Sequence, residues 1–350
     1  MKEVYNIMDA INQELLNLVQ KEFPLEEEPF QVLAEKLDIN EDEVIKRLQA
    51  FKGEVIRQTS AIFDTKSLGY ESSLVAVKVD PDKIDKAAEI INQHPGVSHN
   101  YQRNHDFNLW FTIAVAPNSR LGLEKTVSIL GEMAGVQSIR LLPTLKLFKI
   151  GVQLDISGKT TKSKEETTSF SEKKQKKNLQ PLTNKEIEMI RVLQKDIEFT
   201  ERPFNSLAEE AGVTIEELLE QAKIFKERGQ MRRFAAVLYH RKAGFKANGM
   251  GVWHVPREIE EETGYQMAAF KAVSHCYLRP TYPDWPYNIF TMVHGTSKDE
   301  VEEILQMIEN ETGITDRFVL YSTKEYKKTR VKYFTSEIEQ WEEKVSRELD

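Results

Sequence analysis

Cysteine is almost absent: the chain has 350 residues and one cysteine, Cys276. An internal disulfide is therefore impossible, and so is a cysteine-rich metal motif. Long apolar runs are also missing. None approaches the roughly 18 residues that a membrane span needs. The opening segment, MKEVYNIMDAINQELL, reads as a charged amphipathic helix and lacks the apolar core and small-residue cleavage site of a secretory signal. These features point to a cytoplasmic protein with no membrane segment. An excess of basic charge is missing as well. Lys and Arg number 48 against 56 Asp and Glu, a net charge of −8. That removes the overall basic footprint usual in nucleic-acid binders and leaves only local patches to be judged.

What the chain does have is a repeat. Residues 56–81 (IRQTSAIFDTKSLGYESSLVAVKVDP) align without a gap with 231–256 (MRRFAAVLYHRKAGFKANGMGVWHVP), at an offset of 175. Arg57 pairs with Arg232, Gly69 with Gly244 and Pro81 with Pro256. Further on, VSHNYQR (97–103) matches VSHCYLR (273–279), so that His99, Tyr101 and Arg103 recur as His275, Tyr277 and Arg279. NLWFT (108–112) then resembles NIFT (288–291). Between the copies, SGKTTKSKEETTSFSEKKQKKN (157–178) is too polar to bury a core and reads as a flexible linker.

Each copy divides into a helical part and a part where strands alternate with helices. In copy one, Met8, Ile11, Leu15 and Leu18 mark one helical face. A second helix around Phe30–Leu37 and a third from Glu41 to Phe51 follow. In copy two, Thr183 is a candidate N-cap, with helices over Ile187–Gln194, Phe204–Ala211 and Thr214–Glu227. This spacing reads as helix-turn-helix. After a wing strand (Met231–Tyr239), the order predicted for copy two is strand 247–255, helix 258–271, strands 274–278 and 288–294, helix 298–310 and strand 318–322. That is the βαββαβ plan of a ferredoxin-like domain. The expected class is α+β: two tandem copies of a winged helix-turn-helix plus ferredoxin-like domain. The expected boundaries are 1–53 and 54–151 for copy one, 152–180 for the linker, 181–229 and 230–335 for copy two, and 336–350 for a closing helix. The order resembles the Lrp/AsnC regulators.

DNA recognition does not suit these helices. Glu41–Ala50 carries three acids against two bases, and Thr214–Arg228 four against three, a net of −1 each. The acids sit at the N-terminal ends, where they favour the helix dipole but repel phosphate. The basic charge lies elsewhere. Gln230–Lys246 holds Arg232, Arg233, Arg241, Lys242 and Lys246 with no acid, whereas Val55–Glu71 in copy one balances two bases with two acids. Arginines interleaved with aromatics suit a flat, polyanionic ligand. The 279–288 loop is four residues longer than the 103–108 loop. It is stiffened by Pro280, Pro283 and Pro286 and carries Tyr282, Trp285 and Tyr287, a possible wall for a planar macrocycle. Cys276 reads as a small buried side chain. Gly249-Met-Gly251 lacks the third glycine of a dinucleotide fingerprint.

RRFAAVLYHRKAGFKANGMGVWHVP with VSHCYLRPTYPDWPYNIFTMVHG resembles the B-type subunit of the siroheme decarboxylases. IRQTSAIFDTKSLGYESSLVAVKV with PGVSHNYQRNHDFNLWFTIA resembles the A-type subunit. The chain thus looks like a fusion of two subunits, with the linker supplying a high effective concentration. The resemblance implies a carboxy-lyase that removes carbon dioxide from two acetate side chains of siroheme to give didecarboxysiroheme in haem biosynthesis. The substrate brings its own iron, and no organic cofactor is implied. Such chemistry needs a placed proton donor and cations for the remaining carboxylates. His275 and His240 are the candidate donors, either of them alternatively a ligand to the substrate iron. Arg232, Arg233, Arg241, Lys242 and Arg279 are candidate carboxylate clamps. Tyr239, Trp253 and Tyr277 are candidate macrocycle contacts. Strand alternation splits this set, with Arg233, Tyr239 and Arg241 on one face and Arg232 and His240 on the other. A transcriptional regulator and a non-catalytic tetrapyrrole sensor are the rival readings. Pairing of the two copies within the chain is expected, and association of two chains is left open.

Overall fold

The computed structural model describes residues 9–150, 181–239 and 247–349. Copy one opens with helices α1 (Ala10–Lys21), α2 (Pro29–Leu37) and α3 (Glu41–Phe51). Strands β1 (Ile56–Phe63) and β2 (Glu71–Lys78), helix α4 (Ile84–Asn92), strands β3 (Val97–Arg103) and β4 (Leu109–Val115), helix α5 (Gly122–Ala134) and strands β5 (Ser138–Leu142) and β6 (Lys146–Ile150) follow. Copy two runs α6 (Asn184–Leu193), α7 (Asn205–Ala211), α8 (Ile215–Glu227), β7 (Met231–Leu238), β8 (Ala247–Trp253), α9 (Glu260–Ala268), β9 (Val273–Leu278), β10 (Ile289–Gly295), α10 (Lys298–Thr312) and β11 (Arg317–Lys328), and α11 (Ser336–Leu349) closes the chain. Local chemistry sets the helix starts. Thr183 and Thr214 each form a capping box with the glutamate three residues on, and Asn40 accepts from the Glu43 N–H at 2.8 Å. No helix among the described residues is long and apolar enough to cross a membrane.

The described residues fall into two compact units that cut across the repeat instead of between its copies. The first is drawn from Met1–Tyr70, Lys177–His240 and Lys332–Ser336, and the second from Glu71–Lys176, Arg241–Val331 and Glu337–Asp350. In the first unit, both helix-turn-helix elements flank a two-stranded antiparallel sheet, β1 with β7, in which Ser60 pairs with Ala235. Its core is aromatic. Phe23, Phe30, Phe204 and Phe234 are fully buried, with Phe23–Phe30 and Phe204–Phe234 edge to face at 5.5 Å between centroids. The basic residues of α8 and its C-cap meet acids within this unit: Lys223 with Glu26, Lys226 with Glu22 and the C-cap Arg228 with Glu186.

The second unit holds both βαββαβ modules in one nine-stranded sheet, ordered β5-β2-β4-β3-β11-β8-β10-β9-β6. Each module shows the ferredoxin-like order, β5-β2-β4-β3 and β11-β8-β10-β9. The copies then exchange strands. The far half of β11 pairs with β3 of copy one, and β6 of copy one pairs with β9 of copy two. Strand alternation builds three cores. Val75 and Val77 face α4 and α5, while Trp253, Ile289 and Val293 face α9 and α10. Ala76, Trp110, Met250, Val252 and Phe290 form a third core from the opposite sheet faces of both modules.

The repeat is not gap-free. In the wing strands, the Asp64 N–H donates to the Gln230 carbonyl and the Tyr239 N–H to the Val55 carbonyl, an offset of 175. In the modules, the Asn108 amide clasps the N–H and carbonyl of Val79, and Asn288 clasps those of Val255 in the same way, an offset of 176. Glu71 faces Val115 as Ala247 faces Gly295, so copy two has one extra residue between Tyr239 and Ala247. The sequence pairing of Pro81 with Pro256 therefore slips by one, and Val77 is the counterpart of Trp253.

Candidate active site

A cavity of about 910 Å³ lies within the second unit. That is near the upper end of ordinary small-molecule sites, which run to about 1,000 Å³, and suits a large ligand. His99, Tyr101 and Arg103 on β3 line it, and so do their counterparts His275, Tyr277 and Arg279 on β9. Thr112, Met250, Phe290, Met292 and His294 add to the wall, and Lys298, Lys324 and Lys328 add positive charge. Glu325 is the one carboxylate among the described lining residues.

Each histidine follows a β-bulge. Val97 pairs with Ile113 but His99 with Thr112, and Val273 pairs with Val293 but His275 with Met292. The extra residue is a serine in both copies, and a bulge re-aims its side chain. Ser98 Oγ lies 3.0 Å from His99 Nδ1, and Ser274 Oγ 2.8 Å from His275 Nδ1. The His275 ring stacks on Tyr277 at 6.0 Å and the His99 ring on Tyr101 at 6.2 Å. Burial pushes the His275 pKa below the usual histidine value. His294 also lies low, at about 4, through burial and then the proximity of His275.

The two arginines are the electrostatic signature of the cavity. Arg279 donates to the Leu142 carbonyl, and Arg103 to the Leu320 carbonyl at 3.2 Å. Each bond crosses from one copy to the other. The Nε of both is buried without a hydrogen-bond partner among the described residues, and no carboxylate there pairs with either. Burial pulls both pKa values down to about 10, against the opposing pull of Tyr101 and Tyr277, so both stay charged at neutral pH. Arg279 is buried and Arg103 half-buried, and two desolvated cations with no counter-ion among the described residues are costly unless an anion arrives to meet them.

The residues singled out from sequence separate in space. His275, Tyr277 and Arg279 come together at the cavity. Trp253 does not line it. Alternation along β8 turns Met250 to the cavity and Trp253 to the opposite face, where it is fully buried and donates from Nε1 to Thr291 Oγ1 at 2.9 Å. Arg232, Arg233 and Tyr239 belong to the first unit. There Arg232 pairs with Asp64 at 2.7 Å, holding that carboxyl below its usual value, and Arg233 and Tyr239 are exposed. His240, Arg241 and Lys242 lie outside the described residues, as does the linker. The long aromatic loop packs instead of forming a wall. Trp285 is fully buried 5.1 Å from the Trp110 ring, the Tyr282 hydroxyl donates to the Leu141 carbonyl at 2.6 Å, and Asp284 takes both ends of the Arg140 fork. Cys276 is buried among apolar groups, which raises its thiol pKa.

Sequence reading weighted copy two by its charge and so passed over His99, Tyr101 and Arg103, although their recurrence was visible. It missed His294 outright. Period-two spacing from Phe290 through Met292 was the available signal. Gly249 and Gly251 also find their reason here. A Cβ on them would come within 2.6 Å of Val301 and 2.7 Å of Leu305, so both let α10 lie close on β8.

A doubled, ferredoxin-like module with cationic groups around a shared cavity defines a ligand-binding protein of the AsnC-like type. The model of the AsnC-like ligand binding domain matches residues 67–149 and 242–327, and that of the siroheme decarboxylase NirDL-like HTH domain matches 12–57 and 186–232. The siroheme decarboxylase of Hydrogenobacter thermophilus is 41% identical over 328 residues, covering 93% of this chain and 96% of that protein. A siroheme decarboxylase beta subunit of Methanosarcina barkeri is 42% identical over 147 residues, 42% of this chain and 97% of that subunit. The crystal structure of the siroheme decarboxylase NirDL in co-complex with an iron-uroporphyrin III analogue superposes with a TM-score of 0.79 at 34% identity, over 97% of this chain and all of that one. The chain belongs to the siroheme decarboxylase family.

Proposed function

We propose that the chain is a siroheme decarboxylase, a carboxy-lyase that removes carbon dioxide from two acetate side chains of siroheme to give didecarboxysiroheme in haem biosynthesis. The observation that carries this is the pair of desolvated arginines, Nε buried in both and paired with no carboxylate among the described residues, facing a cavity large enough for a tetrapyrrole. Arg103 and Arg279 hold side-chain carboxylates that do not react, as buried guanidinium groups do with planar anions. Lys298, Lys324 and Lys328 contribute further positive charge to the lining.

A pyrrole acetate loses carbon dioxide when the ring accepts the electron pair of the breaking C–C bond. A proton added to the ring carbon beside the acetate arm makes the ring an acceptor. The C–C bond then breaks, carbon dioxide leaves, and the exocyclic methylene takes up a proton while the ring carbon gives one back. The balance for each side chain is one proton consumed and one carboxylate replaced by hydrogen. His275 is assigned as the donor, because its Nδ1 is held by Ser274 and its ring lines the cavity. The same ring is also suited to ligate the substrate iron. Its depressed pKa favours the neutral form in the free protein, and bound carboxylates raise it when substrate enters.

This reading places the reaction in the cytoplasm, in keeping with a lone, buried cysteine. Anaerobic incubation of the protein with siroheme, followed by product mass, is the test. Loss of two carboxyl groups supports the enzyme. A shifted absorption spectrum with unchanged mass would make the protein a sensor.

A further inference from the structure

The two cavity histidines differ in what stands behind them. In copy two, Ser274 Oγ contacts His275 Nδ1 at 2.8 Å and His294 Nε2 at 2.6 Å, and His294 Nδ1 lies 2.6 Å from Asn248 Oδ1. The amide oxygen offers only lone pairs, so His294 carries its proton on Nδ1 and presents a bare Nε2. Burial keeps that ring neutral. The single proton of Ser274 then goes to His294 Nε2, which is much nearer than the Met292 carbonyl at 3.3 Å. With that proton committed, the Ser274 lone pair accepts from His275 Nδ1–H.

Among the described residues, copy one lacks the histidine and asparagine of this chain. Ala114 stands at the position of His294 and Ser72 at that of Asn248. Ser98 Oγ meets the Thr112 hydroxyl at 2.8 Å, and Thr112 Oγ1 also lies 3.4 Å from His99 Nδ1. Two hydroxyls can each donate or accept, so this contact fixes no direction.

We propose that His294 is a positioning residue: through Ser274 it holds His275 with its proton on Nδ1 and its lone pair on Nε2, the nitrogen left for the cavity. Nε2 is then the atom that takes up a proton and passes it to the ligand, and the two histidines of the duplicated site are unequal by construction. The consequence for turnover rests on the decarboxylase reading, whereas the tautomer is a property of the free protein.

The test is nitrogen NMR of the full chain labelled with ¹⁵N-histidine, without substrate, with the His275 signals assigned from a His275→Gln sample. Wild type should show a protonated Nδ1 and a bare Nε2 at His275. In His294→Ala, Ser274 is released to donate to His275 Nδ1, so the proton should move to Nε2. His294→Gln, whose amide oxygen can accept from Ser274, should restore the wild-type pattern. With siroheme, His294→Ala should lower kcat by about 10-fold with KM unchanged, and His294→Gln should recover most of it. A wild-type His275 protonated on Nε2 overturns the proposal, and so does a His294→Ala protein whose His275 tautomer is unchanged, even when turnover falls. The wild-type spectrum decides the tautomer without any variant. A wild-type protein that leaves siroheme intact sinks the decarboxylase reading and leaves the tautomer result standing.

Discussion

Copy one and copy two share their framework and differ one layer behind it. Both keep the asparagine that clasps the strand beside it, the serine at the bulge and the His-Tyr-Arg row that lines the cavity. These residues serve the backbone and the wall, so each copy needs its own. Behind the wall, copy two has His294 and Asn248 where copy one has Ala114 and Ser72. It has paired glycines against α10 where copy one has Ser73 and Val75. Copy one in turn has a buried histidine, His94, where copy two has Phe270. Duplication has therefore kept the geometry of the cavity and let the chemistry of its two halves diverge.

The sharpest way to break that comparison is to remove each cavity histidine. His275→Ala should slow loss of carbon dioxide by about 10²–10⁴-fold, the usual worth of a placed acid, and His99→Ala by less. Product mass over time reads both. Equal losses would mean that the layer behind His275 makes no difference.

Next come the arginines, which the framework treats alike. Arg103→Met and Arg279→Met should each weaken binding of an iron porphyrin carrying carboxylates by about 30-fold, equivalent to ~2 kcal/mol. Because each removes a desolvated charge that has no counter-ion among the described residues, the free protein should lose little stability. Calorimetric titration and thermal melts check the two halves of this expectation.

A pH effect should separate the copies outside the cavity. His94 is 1% exposed, its Nδ1 accepts from the Gly96 N–H at 3.0 Å, and burial drives its pKa from 6.5 to about 3. The folded-state value is depressed, so the unfolded chain binds the extra proton. The stability is therefore full above pH 6.5 and is lost as pH falls towards 3. Between pH 7.5 and pH 5 urea unfolding should register a loss of about 2 kcal/mol from this group. His94→Phe, which installs the residue of copy two, should flatten that part of the profile.

The smallest effect is expected at Trp253. Trp253→Phe loses the bond to Thr291 and should cost about 1 kcal/mol, lowering Tm by ~2–4 °C. KM for the tetrapyrrole should stay as it is, because this ring faces the helices. A changed KM would return Trp253 to the site.

The sequence carried the fold in detail. Helix starts at Thr183, Thr214 and Asn40, the order of strands β8 to β11 and the repeated His-Tyr-Arg rows follow from short-range rules, and the structure keeps them, although β11 runs to Lys328, well past the expected end at 322. The ungapped alignment misled in one respect. It ran without a gap between Tyr239 and Ala247, where copy two has one residue more, and a one-residue slip reverses which side chains face inward. Charge density misled in another. Arg232 stands out in a basic run, yet it pairs with Asp64 168 positions earlier, a partner that only folding supplies.

By itself, the sequence determined a doubled helix-turn-helix and ferredoxin-like chain with one His-Tyr-Arg row in each copy, because periodicity, capping and repetition are written residue by residue. Only the tertiary structure decided that both rows line one cavity. Strand exchange between β3 and β11 and between β6 and β9 joins segments more than 120 positions apart in the sequence, and desolvation then leaves Arg103 and Arg279 charged with carbonyl partners but no carboxylate among the described residues. The need for an anion arises from that desolvation, which no single stretch of sequence contains.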